Sequence, residues 1–348
     1  MISPYIDLLA RLVSTPSTSR DEDATARLLH SWLDDHGVAT TRIANNIVAR
    51  QPDFDPSRPT LMLNSHHDTV RPNPGYTRDP YMPTIEGDRL YGLGSNDAGA
   101  SVVSLIAAFM QLKDDRLPIN LMLAISAEEE CSGINGMRRL VGEVGPVDMA
   151  IVGEPTQMRC AVGERGLLVL DCTSHGVSGH AARHEGVNAL YKAVDDINRL
   201  RTLSFPRTSA MMGDVNINVT MIEAGTQHNV IPAQCRYVVD VRTTDAYTNE
   251  ETVEIIRRSI DADVTPRSTH IRASAINDSH PLVKAIDALG IEKFLSPTTS
   301  DMALMPFPSI KIGPGHSARS HSADEYIGIS EIQQAIDLYV KLIKTIRI

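Results

Sequence analysis

The stretch Ile119–Cys131, INLMLAISAEEEC, places an apolar segment directly before three consecutive glutamates. Its first part, Ile119–Ser126, is rich in Leu, Ile and Met, which predicts a buried strand of a parallel sheet. Side chains that follow such a strand lie at the edge where open α/β sheets bind ligands. Neighbouring carboxylates repel one another there, so we expect Glu129 and Glu130 to need a cation or a shared proton. A solvated acidic face is the alternative.

Apolar segments and helical patterns alternate on both sides of this predicted strand. Thr60–Leu63 and Val147–Val152 indicate two further short strands, and Ala98–Leu112 indicates a helix so apolar that it must be buried. Alternation of strand and helix is typical of a parallel α/β layer. A helical pattern returns at Ile332–Ile346, so the same layer is expected to continue near the end of the chain.

The middle of the chain has a different order of elements. Over residues 164–276 the patterns predict a strand, a helix, two strands and a second helix. That order predicts a small α+β sandwich of about a hundred residues, a usual domain size. We therefore predict an α/β domain with a mostly parallel sheet, formed by residues 1–163 and 277–348 and interrupted by the inserted domain 164–276.

Composition and charge narrow the classes of partner. The chain has 348 residues, 42% of them hydrophobic, which allows two ordinary globular domains. A formal net charge of −10 argues against a nucleic-acid or anionic-membrane partner. Four cysteines without paired spacing predict reduced thiols. Because no signal-peptide pattern or membrane-spanning run is present, we expect a cytoplasmic protein.

Residues with metal-ligand chemistry follow the predicted strands or stand in loops marked by Gly and Pro. His66 and Asp68 form a His-x-Asp motif, Asp97 precedes a helix, and Glu154 and His321 lie in loops. Each has an ordinary alternative: a helix cap for Asp97, a solvated carboxylate for Glu154 and a surface imidazole for His321. Since all belong to the same predicted layer, we expect them to meet at one edge of the sheet.

The order and spacing of these motifs resemble the acetylornithine deacetylase / succinyl-diaminopimelate desuccinylase family. The resemblance covers essentially the whole chain, including the inserted domain. The residues that carry it are His66-x-Asp68-Thr69-Val70, Gly94-Ser95-Asn96-Asp97, Glu129-Glu130, Gly153-Glu154-Pro155-Thr156, Gly179-His180-Ala181, Asn229-Val230-Ile231-Pro232, Asp240-x-Arg242 and His321-Ser322-Ala323-Asp324-Glu325.

Members of this family are co-catalytic di-zinc amidohydrolases with a zinc-exopeptidase-like catalytic domain and an inserted lid or dimerisation domain. The resemblance implies that Asp97 bridges two Zn²⁺ ions per subunit, with Co²⁺ able to replace them. It assigns His66 and Glu154 to one ion, and Glu130 and His321 to the other. Mixed imidazole and carboxylate ligands suit catalytic zinc.

The resemblance also implies the catalytic roles. Glu129 is the general base that takes a proton from a water acidified by the two ions. Asp68 accepts the second ring N–H of His66 and so fixes the tautomer of that ligand. The family pattern further implies a homodimer through the inserted domain, from which His180 of the partner subunit reaches the substrate carbonyl.

Substrate contacts are implied at further positions, each with a structural alternative. Asn229 is a substrate contact or a turn residue. Arg242 is a clamp for the substrate carboxylate or the partner of Asp240 in an ion pair. Gly313 and Gly315 offer backbone N–H groups to the same carboxylate or form a plain turn.

The predicted reaction is hydrolysis of the amide bond of a small N-acyl amino acid. N-acetyl-L-ornithine in arginine biosynthesis is the first choice. N-acetyl- or N-succinyl-citrulline, succinyl-diaminopimelate and dipeptide or aminoacylase substrates are alternatives, and an inactive metal-binding homologue is the non-enzyme alternative. A succinyl group carries an additional carboxylate, for which Arg183 and Arg319 are the candidate cations.

Overall fold

The computed structural model describes residues 3–183 and 185–348. Contacts between Cα atoms divide them into two units: a first unit of residues up to Gly163, Ala275–Ser296 and Ser300–Ile348, and a second unit of Glu164–Ser274 and Pro297–Thr299. The predicted boundaries lay at 163/164 and 276/277. The structure places the second of these boundaries at 274/275. It also groups the short segment Pro297–Thr299 with the second unit, whereas the sequence had placed that segment in the first.

Helices and strands are numbered in chain order through the described residues. The helices are α1 Pro4–Val13, α2 Asp23–Asp35, α3 Ala100–Leu112, α4 Met137–Glu143, α5 Ala189–Arg201, α6 Asn249–Ser259, α7 Pro281–Ala288 and α8 Ile329–Thr345. The strands are β1 Thr40–Ile43, β2 Asn46–Arg50, β3 Thr60–His66, β4 Thr84–Glu86, β5 Arg89–Tyr91, β6 Asn120–Ser126, β7 Met149–Val152, β8 Cys160–Glu164, β9 Gly166–His175, β10 Gly179–His180, β11 Asn216–Ala224, β12 Val230–Ile231, β13 Gln234–Thr243, β14 Asp263–Pro266, β15 Ser274–Ala275, β16 Lys293–Ser296, β17 Ser309–Lys311 and β18 Tyr326–Gly328.

The first unit is organised around a nine-stranded sheet with a parallel centre. Strands β6, β3, β7 and β17 are neighbours in that order and run parallel. On one side β2 and β1 continue the sheet with antiparallel pairing, and on the other β8 pairs antiparallel with β17. The predicted α/β class with a mostly parallel central sheet is confirmed. Its carboxyl edge holds His66 directly opposite Ser126.

Helices that cover the sheet explain why its central strands are apolar on both faces. Every residue of β3 and β6 is buried, and the largely buried α3 packs against β3, α1 and α8. Strand β3 continues past the predicted Leu63 to His66 because its polar residues find partners inside the sheet. Asn64 Nδ2 donates to the Ala124 carbonyl (3.1 Å) and to Ser126 Oγ (3.0 Å).

The second unit is a four-stranded antiparallel sheet in the order β11, β13, β9, β14, with α5 and α6 packed against it. Buried residues alternate along β9 and β13, as expected for a sheet with one covered face. The predicted elements are present. The short strands β10 and β12, which pair with each other, and the edge strand β14 were not predicted.

Two further properties concern the whole described chain. Within residues 3–183 and 185–348, no helix is both long enough and apolar enough to cross a membrane. All four cysteines are unpaired, and three of them are buried.

Candidate metal centre

Imidazole and carboxylate groups from distant parts of the sequence meet around His66, at the carboxyl end of β3. This imidazole is only 1% exposed. Its Nε2 atom lies 3.3 Å from Asp97 Oδ1, 3.7 Å from Glu154 Oε1 and 3.9 Å from Glu129 Oε2. One buried nitrogen is thus surrounded by acidic oxygens, as the strand-end positions of these residues predicted.

A second group forms around His321. Its Nε2 atom lies 2.9 Å from Glu130 Oε2 and 3.6 Å from Asp97 Oδ2. Asp97 therefore turns one oxygen towards His66 and the other towards His321. This placement between two imidazoles is the arrangement that a carboxylate bridging two cations requires.

The backbone around Asp97 rules out the helix-cap alternative. Helix α3 begins at Ala100, and Gly99 occupies its cap position. Asp97 interrupts the helical turn at 95–99 with φ −122° and ψ 96°, and its peptide bond to Ala98 is cis. Its carboxylate faces His66 and His321 and leaves the N-terminus of α3 uncapped.

The acidic turn after β6 is held by Asp68. The Asp68 carboxylate accepts the backbone N–H groups of Glu129 (3.0 Å) and Glu130 (3.2 Å), and the hydroxyl of Ser19 (2.6 Å). Glu128 enters the turn with φ 55°. Asp68 thereby fixes the backbone of Glu129, the predicted base, and of Glu130, the predicted ligand.

The predicted bond from His66 to the Asp68 carboxylate needs correction. His66 Nδ1 lies 3.0 Å from the backbone carbonyl of Asp68 and 3.5 Å from its carboxylate Oδ1. The carbonyl is the better placed acceptor, because the carboxylate is turned towards the amides of Glu129 and Glu130. Asp68 still fixes the tautomer of His66, but with its main chain.

Burial makes the ionised forms of several carboxyl groups in this cluster unfavourable when no cation is bound. Burial raises the pKa of Glu129 well above its usual range and that of Glu154 to about 8. Burial opposes charging of His66, but the nearby charge of Glu129 and the carboxylates of Asp68 and Asp97 raise its pKa. Bound cations would favour the ionised carboxylates over their protonated forms.

The donors fit zinc in number and kind. Two sets have ligand atoms within 4.8 Å of one another, namely His66 with Asp97 and Glu130, and His66 with Glu129 and Glu154. Nitrogen and carboxylate donors in one site suit Zn²⁺, whereas Ca²⁺ and Mg²⁺ favour oxygen alone. The division that the family resemblance implies, with His66 and Glu154 on one ion, Glu130 and His321 on the other and Asp97 on both, remains a prediction.

Two buried carboxylates beside this centre were not assigned a role from sequence. Asp301 accepts the hydroxyl of Ser126 (2.6 Å), and burial raises its pKa to about 6. Glu325 accepts backbone N–H groups of the loop that carries Asp97. Glu325 belongs to the C-terminal motif, which could have drawn attention to it, but Asp301 stands in a stretch without a recognisable pattern.

Three predicted site residues lie in the second unit: the catalytic candidate His180 and the substrate contacts Asn229 and Arg242. His180 pairs with Val230 across β10 and β12, and the Asn229 carbonyl accepts the N–H of Ala181 (3.0 Å), so the two predicted segments adjoin. His180 Nδ1 accepts the N–H of Ala182 (3.1 Å), which leaves the ring proton on Nε2.

The third, Arg242, is engaged in an ion pair. Its Nε and Nη2 atoms lie 2.8 and 3.1 Å from the two carboxylate oxygens of Asp240. The structural alternative raised from sequence is therefore present, and a role for Arg242 in clamping substrate remains a prediction.

The glycine loop at 313–315 is close-packed. A Cβ atom at Gly313 would lie 2.5 Å from the Glu154 carbonyl, and one at Gly315 would lie 2.3 Å from Asn96 Oδ1. Glycine is thus required for contact with the segments that carry the candidate ligands. The Gly313 N–H donates to Thr156 Oγ1 (3.0 Å), which contradicts its predicted use for a substrate carboxylate. Gly315 keeps that role as a prediction.

The two candidate cations for a succinyl group differ in their contacts. Arg319 pairs with Glu331 at 2.7 Å and stacks over the Tyr326 ring at 4.5 Å, so it is committed within the first unit. Arg183 is exposed, and its nearest acidic contact is Glu185 at 3.9 Å.

Comparison with known sequences identifies the family. The sequence model of peptidase family M20/M25/M40 matches residues 62–345. Succinyl-diaminopimelate desuccinylase of Parvibaculum lavamentivorans is 28% identical, over 98% of this chain and 96% of its own length. Acetylornithine deacetylase of Proteus mirabilis is 26% identical, over 98% and 96% respectively. The chain belongs to peptidase family M20/M25/M40 and is a metallo-amidohydrolase of that family.

Solved structures share the fold. Aminopeptidase PepT from Bacillus cereus superposes with a TM-score of 0.80 at 19% identity, covering 98% of this chain and 97% of that chain. YXEP from Bacillus subtilis, a dinuclear metal-binding peptidase, superposes with a TM-score of 0.73 at 16% identity, covering 98% and 96%. At these identities the likeness establishes the fold alone.

Proposed function

We propose that the protein hydrolyses the amide bond of an N-acyl amino acid at a two-zinc centre, with N-acetyl-L-ornithine as the first candidate substrate. The observation that carries this proposal is the position of Asp97, whose two oxygens face His66 and His321. The relatives named acetylornithine deacetylase and succinyl-diaminopimelate desuccinylase, and the dinuclear YXEP, support the same chemistry.

Glu129 is the group placed to move the proton. When bound, the two ions supply Lewis acidity and neutralise the ligand carboxylates. Glu129 Oε2 lies 3.9 Å from His66 Nε2, at the edge of the cluster, where it can take a proton from the attacking water. The same oxygen then returns this proton to the departing amine nitrogen. Burial favours the proton-carrying form between these two steps.

His180 is proposed as the donor to the substrate carbonyl. Since its Nδ1 accepts the Ala182 N–H, the free Nε2–H can donate to the carbonyl oxygen as negative charge develops there. We retain the prediction that this histidine comes from the partner subunit of a homodimer. Exposed apolar residues on β11 and α5 of the second unit, Met221, Ile222, Tyr191 and Val194, support that unit as the dimer surface.

The acyl group is proposed to be acetyl. Recognition of a succinyl carboxylate would need an available cation. Arg319 is held by Glu331 and Tyr326, which leaves the exposed Arg183 as the cation that a succinyl substrate would have to use. Arginine biosynthesis follows from the ornithine substrate. The four unpaired cysteines support the predicted cytoplasmic location.

The testing experiment is amine release by zinc-reconstituted protein against matched compounds. The panel holds N-acetylornithine, N-acetylcitrulline, N-succinylcitrulline, N-succinyl-diaminopimelate and several dipeptides, with Glu129→Gln as the inactive control. A hundredfold preference for N-acetylornithine corresponds to about 2.7 kcal/mol of transition-state discrimination and supports the proposal. Preference for another compound reassigns the substrate. Inertness of every compound with two zinc ions bound contradicts the hydrolase function.

A further inference from the structure

Glu325 accepts an unusual number of backbone hydrogen bonds from one loop. Its carboxylate accepts the N–H groups of Gly94 (3.2 Å), Asn96 (2.8 Å) and Asp97 (2.9 Å). Its backbone carbonyl accepts a fourth, from Gly92 (2.9 Å). The side chain is 2% exposed, so these bonds are shielded from water.

A second contact ties the same two segments together. The Asn96 side chain accepts the N–H of His316 (3.0 Å) and donates to the His316 carbonyl (3.2 Å). Hydrogen bonds therefore join residues 92–97 to both His316 and Glu325, the first and last residues of the segment 316–325. One segment carries Asp97 and the other carries His321, which are candidate ligands from opposite ends of the sequence.

The hydrogen bonds to the Glu325 side chain require a carboxyl group at this position. Oε1 accepts the N–H groups of Asn96 and Asp97 and Oε2 accepts that of Gly94, so both oxygens serve as acceptors, whereas an amide has only one acceptor oxygen. The NH₂ group of a glutamine would face at least one backbone N–H. The position of the Asp97 backbone therefore depends on the two acceptor oxygens and the reach of Glu325.

We propose that Glu325 is a positioning residue that sets the Asp97 carboxylate midway between the His66 and His321 groups and thereby controls the affinity of the metal centre. The inference rests on the proposed two-metal function. It does not place Glu325 in contact with an ion or with substrate. The alternative role is that of a brace which stabilises the loop without affecting metal binding.

The test compares Glu325→Gln with Asp324→Asn. Asp324 is a matched control because its carboxylate also accepts backbone N–H groups, but from Thr77 (2.9 Å) and Arg78 (3.1 Å) in another loop. Zinc affinity is measured by chelator competition, the Co²⁺ absorption spectrum reports the ligand geometry, and thermal unfolding of the metal-free proteins reports stability. We expect Glu325→Gln to weaken at least one ion by about 10- to 100-fold and to change the Co²⁺ spectrum. Asp324→Asn should leave both readouts near wild type.

The outcomes separate the two proposals. A Glu325→Gln protein that is less stable but binds two ions with wild-type affinity and spectrum overturns the positioning role. If that variant does not fold, Glu325→Asp decides, since its shorter carboxylate keeps both acceptor oxygens but cannot reach all three amides. Weakened zinc binding by Glu325→Asp supports the inference, and unchanged binding overturns it. Failure of the wild-type protein to bind two ions would instead reject the two-metal function.

Discussion

His321 Nε2 lies 2.9 Å from Glu130 Oε2, although 191 residues separate the two in sequence. The hydrogen bond that His321 donates to Glu130 raises the pKa of His321 to about 9. Both residues are candidate ligands of the same ion. In the metal-free protein they therefore form an ion pair, and a metal must displace the proton that holds them together.

Zinc binding should consequently release protons. At pH 7 His321 is protonated, because its pKa is raised to about 9, and Glu154 is largely protonated, because burial raises its pKa to about 8. His66, whose pKa is also raised well above its usual value, is a third ligand that must lose a proton to coordinate zinc, so we expect between two and three protons released per chain and weaker binding as the pH falls from 9 to 6. Calorimetric titration in buffers of different ionisation enthalpy measures the number. A heat of binding independent of the buffer contradicts the assignment.

Replacement of Glu129 by glutamine should abolish proton transfer without emptying the site. We expect kcat to fall by about 10² to 10⁴-fold while two zinc ions remain bound. Metal analysis beside steady-state kinetics checks both parts. Because Glu129 also lies among the metal-binding oxygens, loss of one ion in the variant would show that it is a ligand, and near wild-type turnover would show that it is not the base.

Replacement of Asp68 by asparagine should loosen the turn that carries Glu129 and Glu130. An amide presents one acceptor oxygen, and its NH₂ group would oppose one of the two backbone N–H groups that the carboxylate now accepts. We expect losses of about 10- to 100-fold in kcat and in zinc affinity. Ser19→Ala removes only the third bond and serves as the graded control. Equal effects of the two variants would contradict this role of Asp68.

A separate prediction concerns stability and pH at Glu22. This residue is completely buried, its Oε1 accepts the N–H of Glu128 (3.1 Å), and burial raises its pKa from 4.5 to about 7. Between these values the folded state keeps a proton that the unfolded state has lost, so the free energy of unfolding declines as the pH rises. Glu22→Gln keeps the acceptor oxygen and removes the ionisation. We expect the free energy of unfolding of Glu22→Gln, relative to that of the wild type, to rise by up to about 3 kcal/mol between pH 4.5 and pH 8.

Urea unfolding of the metal-free proteins at the two pH values measures this difference. Asp21→Asn, at an exposed neighbouring position, controls for the change in net charge. A Glu22→Gln protein whose stability relative to wild type does not change with pH would show that Glu22 ionises normally in the folded protein.

Much of the fold and the composition of the site could be predicted from the sequence. The apolar run before Glu129 predicted a buried parallel strand, and parallel strands place their carboxyl ends at one edge. For that reason His66, Asp97, Glu130, Glu154 and His321 could be expected together, and the structure brings them within contact distance. The roles given to each of them remain proposals.

The parts that could not be predicted depend on the backbone. Side-chain types do not reveal that Asp68 turns to the amides of Glu129 and Glu130 while its carbonyl serves His66. Nor do they reveal that the Gly313 amide is already bound to Thr156. Strand β3 was predicted too short because Asn64 and Ser65 are polar, and their hydrogen bonds within the sheet become visible only in three dimensions.

The most direct test of the two-metal assignment is anomalous diffraction at the zinc edge from crystals of the reconstituted protein. Two peaks should flank the Asp97 carboxylate, one beside His66 and Glu154 and the other beside Glu130 and His321. A single zinc peak, or two peaks that do not lie on either side of the Asp97 carboxylate, would contradict the two-metal assignment.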